Sequence, residues 1–186
     1  MNMTRTSIFK VYGNGIAKIL LIVAFMLCMQ TINAQEDLDA KYATELPKVG
    51  TVAPDFTLAS LDGNTISLSD FKGKYVVLDF WASWCPDCIR DIPEILSLYN
   101  DFSDKGVVFL GVSFDTDKTR WQTTVEKYDI KYPQCSEFKK MREAEVAKLY
   151  GVKWIPSLVV VGPDGKVALS TVISQKVKAL LLERIK

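Results

Sequence analysis

The chain has 186 residues, 48% of them hydrophobic and 24% charged, with 23 Lys plus Arg against 22 Asp plus Glu. This balance describes a globular protein, and a net charge of +1 supplies no field to gather nucleic acid or anionic lipid. The absence of histidine excludes Ser-His-Asp and Cys-His catalysis, histidine-ligated metal and an imidazole pH switch.

Residues 1–34 carry Arg5, Lys10 and Lys18 and no acid, then the apolar run 19–29, then Thr31-Ile32-Asn33-Ala34 ahead of Glu36-Asp37. This order reads as a secretory signal peptide cut after Ala34. The alternative is an uncleaved membrane anchor, but a span needs roughly 18 to 20 apolar residues and the run is shorter. Cleavage discards Cys28 and leaves Cys85, Cys88 and Cys135, an odd count for an exported chain. Residues 35–48 are polar and mixed and read as a flexible lead-in to a domain over 49–186.

After Pro54, residues 56–58 and 65–68 alternate around Asp62-Gly63-Asn64, the pattern of a β-hairpin. Residues 75–81 form an apolar run broken only by Asp79, and 107–114 form another; such runs suit parallel strands covered on both faces. Between them, 86–101 has helical spacing through Ile89, Ile92, Ile95, Leu96 and Tyr99, with a kink expected at Pro93. Asp117 is placed to cap a helix through Tyr128, residues around Cys135 read as a loop, and 139–150 reads as a helix ending at Gly151. Residues 158–161, the turn Gly162-Pro163-Asp164-Gly165 and 167–172 predict an antiparallel hairpin, after which Ser174 caps a final helix. The string is that of one α/β domain with a mixed sheet.

The sharpest chemical signal is Trp84-Cys85-Pro86-Asp87-Cys88, where a buried strand gives way to a helix with Pro86 in its first turn. A helix N-terminus presents unpaired N–H groups and partial positive charge to the Cys85 sulfur, which favours its thiolate. Cys88, one turn in, is more shielded, and the two-residue spacer lets the sulfurs close a bond. A zinc half-site or an idle disulfide is the alternative; Cys135 is the one other thiol of the mature chain, and no histidine could complete a zinc site.

The run Asp79-Phe80-Trp81-Ala82-Ser83-Trp84-Cys85-Pro86-Asp87-Cys88, with Pro93 and the distant Ile155-Pro156, resembles the thioredoxin fold. The stretch Val49-Gly50-Thr51-Val52-Ala53-Pro54-Asp55-Phe56-Thr57-Leu58 and the Phe71-Lys72-Gly73-Lys74 loop are similar to its exported TlpA-like branch, which shares this N-terminal hairpin with peroxiredoxins. The resemblance covers residues 49–186. It implies a mixed central sheet flanked by helices, with an N-terminal β-hairpin and a central insertion. It also implies a periplasmic thiol-disulfide oxidoreductase without cofactor or metal, acting on protein disulfides in cytochrome c maturation or envelope disulfide repair. A transmembrane thiol electron donor would recharge it.

On this resemblance Cys85 attacks, Cys88 resolves, Pro156 is cis and faces the cysteines, and Trp84, Pro86, Ile155 and Pro156 contact substrate. Asp79, in an apolar strand, is expected to have a raised pKa; the matching aspartate in thioredoxins moves protons for the second cysteine, whereas TlpA-like proteins often carry Asn there. Asp91 lies three residues after Cys88 on the same helix face, where TlpA-like reductases commonly place Glu; a solvated surface acid is the other reading. Arg90 reads as a surface charge. Trp84 and Trp154 are candidates for an apolar rim or for core packing, with Trp81 the better core residue. Cys135 is a partly buried free thiol or a site of mixed disulfides. Asp115-Thr116-Asp117 offers too few carboxylates for calcium, and helix capping accounts for it.

Two other functions compete. A peroxiredoxin-like peroxidase needs Pro seven and Thr or Ser three residues before the attacking cysteine, where this chain has Leu78 and Ala82. A non-enzymatic binding module would not need two cysteines. Direction is a further question, since the same fold serves disulfide-forming oxidants; Asp87 stands where strong oxidants carry His and opposes the thiolate, which points to a reducing pair.

Overall fold

A computed structural model describes residues 37–185. The signal-peptide reading of 1–34 lies outside the described residues. In chain order the elements are α1 (Leu38–Tyr42), β1 (Thr57–Ser60), β2 (Thr65–Ser67), β3 (Val76–Trp81), α2 (Pro86–Phe102), β4 (Val108–Ser113), α3 (Lys118–Lys127), β5 (Gln134–Ser136), α4 (Glu145–Leu149), β6 (Ser157–Val161), β7 (Val167–Thr171) and α5 (Ser174–Arg184). The strands form one mixed sheet in the order β2-β1-β5-β4-β3-β6-β7. This is the α/β arrangement that the sequence predicts, with the 57–67 hairpin at one edge.

The centre of the sheet explains the uninterrupted apolar runs. β3 pairs parallel with β4 and antiparallel with β6, and all six of its residues are buried. A strand covered on both sides and both faces has no solvent side for polar residues to occupy. Asp79 is the exception, paired in register with Gly111 and Leu158. From the end of β3 the chain turns through Ala82-Ser83-Trp84 into α2, whose buried stripe is Cys88, Ile92, Ile95, Leu98 and Phe102.

Four segments differ from the sequence reading. Residues 134–136 are a strand and not a loop: β5 runs parallel to β4 and antiparallel to β1, joining the hairpin to the rest of the sheet. A stretch of three residues is too short to show a period. The helix expected over 139–150 is confined to Glu145–Leu149, ahead of Gly151. Lys139, Lys140 and Arg142 would have stacked positive charge at its N-terminus, against the helix dipole; the helix starts instead where the Glu137 carboxylate accepts the N–H groups of Glu145 (3.1 Å) and Val146 (2.7 Å).

Ser174 does not cap the last helix. The N-cap is Ile173, and the amides around it are satisfied from elsewhere: Val172 N–H by Asp39 (2.7 Å) and Ile173 N–H by the Thr171 hydroxyl (3.0 Å). Residues 38–48, read as a lead-in outside the domain, are fastened to it, and the compact unit begins at Leu38. Asp39 accepts from the Thr171 hydroxyl (2.8 Å) and pairs with Lys176 (2.6 Å), and Pro47 O accepts from Ser170 (2.6 Å). Leu46 of this segment is buried, its Tyr42 ring stacks on Trp154 and Glu45 pairs with Lys153 (3.6 Å), so the docking mixes polar and apolar contacts; so few apolar positions in a mainly polar stretch leave no period to read.

Candidate active site at the start of α2

Local sequence puts Cys85 at the N-cap of α2. It is extended (φ −90°, ψ 112°), Pro86 follows at the position that needs no N–H, and the Cys85 sulfur accepts the Cys88 N–H at 3.2 Å. The approach is held from the other side by Asp115, which accepts from Ser83 N–H (2.9 Å), the Ser83 hydroxyl (2.6 Å) and the Ser113 hydroxyl (2.7 Å). Asp117 accepts the Thr119 and Arg120 amides at the start of α3. The acidic pair considered for calcium therefore has two separate structural uses.

The two thiols differ in environment. Donation from the Cys88 thiol, then from the Cys88 and Asp87 amides, outweighs burial and brings Cys85 down to about 7. Cys88 goes the other way: burial, and its own bond to Cys85, push it above the ordinary thiol range. Asp87 opposes the Cys85 thiolate and pairs with the guanidinium of Arg90, which is the surface charge expected of it. Neutral Cys85 has a second partner, since its S–H reaches Ile155 O at 3.6 Å. The Ile155–Pro156 peptide bond is cis.

Beneath Cys88 a narrow crevice is lined by Asp79, Trp81, Cys88, Asp91 and Pro156. Burial raises Asp79 to about 7, against a hydrogen bond from the Tyr132 hydroxyl (2.9 Å) and with a contribution from the Asp91 charge. Asp91 is half-buried: Ser174 donates to Oδ1 at 3.3 Å, Oδ2 is buried without a partner, and burial raises its pKa as well. A carboxylate so placed is not a solvated surface acid.

The structure thus brings Cys85, Cys88, Asp79, Asp91, Ile155 and Pro156 to one place. Pro86 is exposed beside Cys85, and Trp84, 45% exposed, donates its indole N–H to Phe114 O at 3.4 Å. Trp154, 39% exposed, stacks on Tyr42 of α1 (centroids 4.3 Å apart), whereas Trp81 is core and donates to Gln134 Oε1 at 3.0 Å. Cys135 stands apart. It is fully buried in β5, its thiol donates to Gly111 O (3.5 Å), and burial pushes it up to about 12, which corrects the expectation of a partly buried loop thiol.

Sequence reasoning missed Tyr132 and Ser174. An acid inside an apolar strand demands a donor, but the donor lies 53 positions away and no local pattern marks it.

Comparison with known proteins finds thiol-disulfide oxidoreductases of the same fold. The profile of the AhpC/TSA family matches residues 49–170. A thiol-disulfide oxidoreductase ResA from Bacillus thuringiensis subsp. konkukian is 33% identical over 142 residues, 76% of this chain and 79% of that protein. The thioredoxin domain of a thiol-disulfide oxidoreductase from Bacteroides vulgatus superposes with a TM-score of 0.68 at 30% identity, covering 75% of this chain and 99% of that one. A thiol-disulfide oxidoreductase from Bacteroides fragilis gives 0.68 at 28% identity, over 72% and 99% of the two chains.

Proposed function

The chain belongs to the AhpC/TSA family as a TlpA/ResA-like thioredoxin-fold thiol-disulfide oxidoreductase, and from that premise we propose that it is an exported reductase of protein disulfides. The observation that carries this reading is the Cys85 sulfur at the N-cap of α2, holding the Cys88 N–H at 3.2 Å while Cys88 is kept protonated below it. The Cys85 thiolate attacks a client disulfide and forms a mixed disulfide, releasing one client thiolate. Cys88 gives its proton to Asp79 and attacks Cys85; the Cys85–Cys88 bond forms, the bond to the client breaks, and the client leaves with both sulfurs reduced. Two electrons pass from dithiol to client. A transmembrane thiol donor in the cell envelope then returns the pair to the reduced form.

Asp91 shares the crevice with Asp79 and is suited to pass protons between it and solvent. Trp84 and Pro86 flank Cys85 in the chain and the Ile155 carbonyl, just ahead of Pro156, reaches its sulfur at 3.6 Å, so these four are the residues we assign to client contact. A peroxidase reading finds no support at the positions it needs, since Leu78 is fully buried inside β3 and Ala82 has no hydroxyl to hold a peroxide. Cytochrome c maturation and envelope disulfide repair are the processes that such a reductase serves.

The test is covalent trapping. Cys88→Ala should accumulate dithiol-releasable complexes with envelope proteins, Cys85→Ser should abolish complexes and insulin reduction together, and Cys135→Ala should change neither. Complexes that survive loss of Cys85 and require Cys135 would contradict the mechanism.

A further inference from the structure

Asp79 has two oxygens, and the fold occupies one of them from a distance. The Tyr132 hydroxyl donates to Oδ2 at 2.9 Å, and Tyr132 is 2% exposed, so this bond does not compete with bulk water. The ring is clamped from two elements: Tyr99 of α2 lies 5.6 Å away and Phe109 of β4 6.1 Å away, each at 49°. The hydroxyl direction is therefore set by packing.

We infer that Tyr132 is a positioning residue for the second thiol step: it holds one oxygen of Asp79, leaves proton transfer from Cys88 to the other, and thereby sets the pH dependence of that step. The inference rests on the proposed role of Asp79 as proton acceptor and deepens it. In the step, Cys88 S–H gives its proton to ionised Asp79 and its sulfur attacks Cys85 in the mixed disulfide. The Cys85–Cys88 bond forms, the client sulfur leaves as a thiolate and takes a proton from water.

The groups facing Asp79 explain why one hydroxyl matters. α2 presents Cys88 and the Asp91 carboxylate, the register partners Gly111 on β4 and Leu158 on β6 carry no charge, and Ser174 of α5 reaches the crevice only through Asp91. Burial and the Asp91 charge both disfavour ionised Asp79, and Tyr132 is the group in this set that favours it. Burial and the neighbouring Asp79 charge keep the phenol protonated well beyond its usual range, so it remains a donor wherever Asp79 titrates.

The experiment uses the full chain and Tyr132→Phe, which keeps the ring and its aromatic contacts. Two quantities are followed against pH: the Asp79 carboxyl by carbon-13 NMR, assigned with Asp79→Asn, and the rate of insulin disulfide reduction. Loss of the donor should move the carboxyl midpoint and the rising limb of the rate to higher pH by about one unit. In an Asp79→Asn background Tyr132→Phe should leave the rate profile unmoved, since the two residues act as a unit. An unmoved carboxyl titration, or a rate lowered equally at every pH, would overturn the inference. A carboxyl midpoint that moves while the rate profile stays would overturn it differently, by showing that Asp79 is not the acceptor. A parent protein without disulfide reduction at any pH would break the underlying reading, and the NMR titration would still report on the Tyr132 bond separately.

Discussion

The Cys85 thiol donates to the Ile155 carbonyl at 3.6 Å across 70 positions of sequence, so the Cys85 sulfur and the backbone just ahead of Pro156 share one spot. When the thiol ionises it can only accept, and its partners become the Cys88 thiol and the amides of α2. Ionisation thus releases the Ile155 carbonyl at the moment the sulfur becomes nucleophilic, which suits a client segment laid along Ile155 with its disulfide over Cys85.

The thiols should alkylate in a fixed order. With Cys85 lowered to about 7, Cys88 raised and Cys135 pushed to about 12 inside the sheet, iodoacetamide should modify Cys85 first, with a rate midpoint near pH 7. Cys135 should react only after unfolding, because none of it is exposed. Peptide mapping after timed alkylation checks this, and modification of Cys88 at the Cys85 rate would contradict it.

Asp79→Asn should stabilise the protein above neutral pH and not at pH 4. The folded-state pKa of Asp79 is about 7 against 3.8 for an exposed aspartate, so between those values the folded chain keeps a proton that the unfolded chain has lost. Its contribution is complete below pH 3.8 and disappears as pH rises through 7. Asn still accepts from Tyr132 but does not ionise, so the gain should grow to about 4 kcal/mol at pH 8. Urea unfolding at several pH values measures it, and a gain independent of pH would count against a buried titrating carboxyl.

Gly151→Ala should destabilise by about 2 kcal/mol or more. Gly151 has φ +61°, and a Cβ there would lie 1.9 Å from the carbonyl oxygen of Glu45. The substitution meets backbone strain and the docked 38–48 segment together, and deleting residues 37–48 in the same protein should remove the second part of the loss. Thermal melts of the single and combined variants separate the two.

The centre of the fold was legible because burial on both faces writes itself as apolar runs, and the site because proline and two cysteines at a strand-to-helix junction admit few other uses. β5 and the 38–48 segment were not legible. One has three residues and the other docks through Asp39 and Pro47 together with only Tyr42 and Leu46 as apolar anchors, so neither leaves a hydrophobic period. Asp79 could be read as anomalous from its own strand, but Tyr132 and Ser174 are ordinary residues until folding sets them against a carboxylate.

The reduction potential of the Cys85–Cys88 pair tests the assignment of a reductase most directly. A Cys85 pKa of about 7, with the Asp87 charge opposing the thiolate, belongs with thioredoxin at roughly 7 and not with strong oxidants at roughly 3.5. Equilibration with glutathione at pH 7, read by quantifying free thiols, should therefore give a potential nearer roughly −270 mV than roughly −120 mV. A value above about −170 mV would contradict the account and make the protein a donor of disulfides.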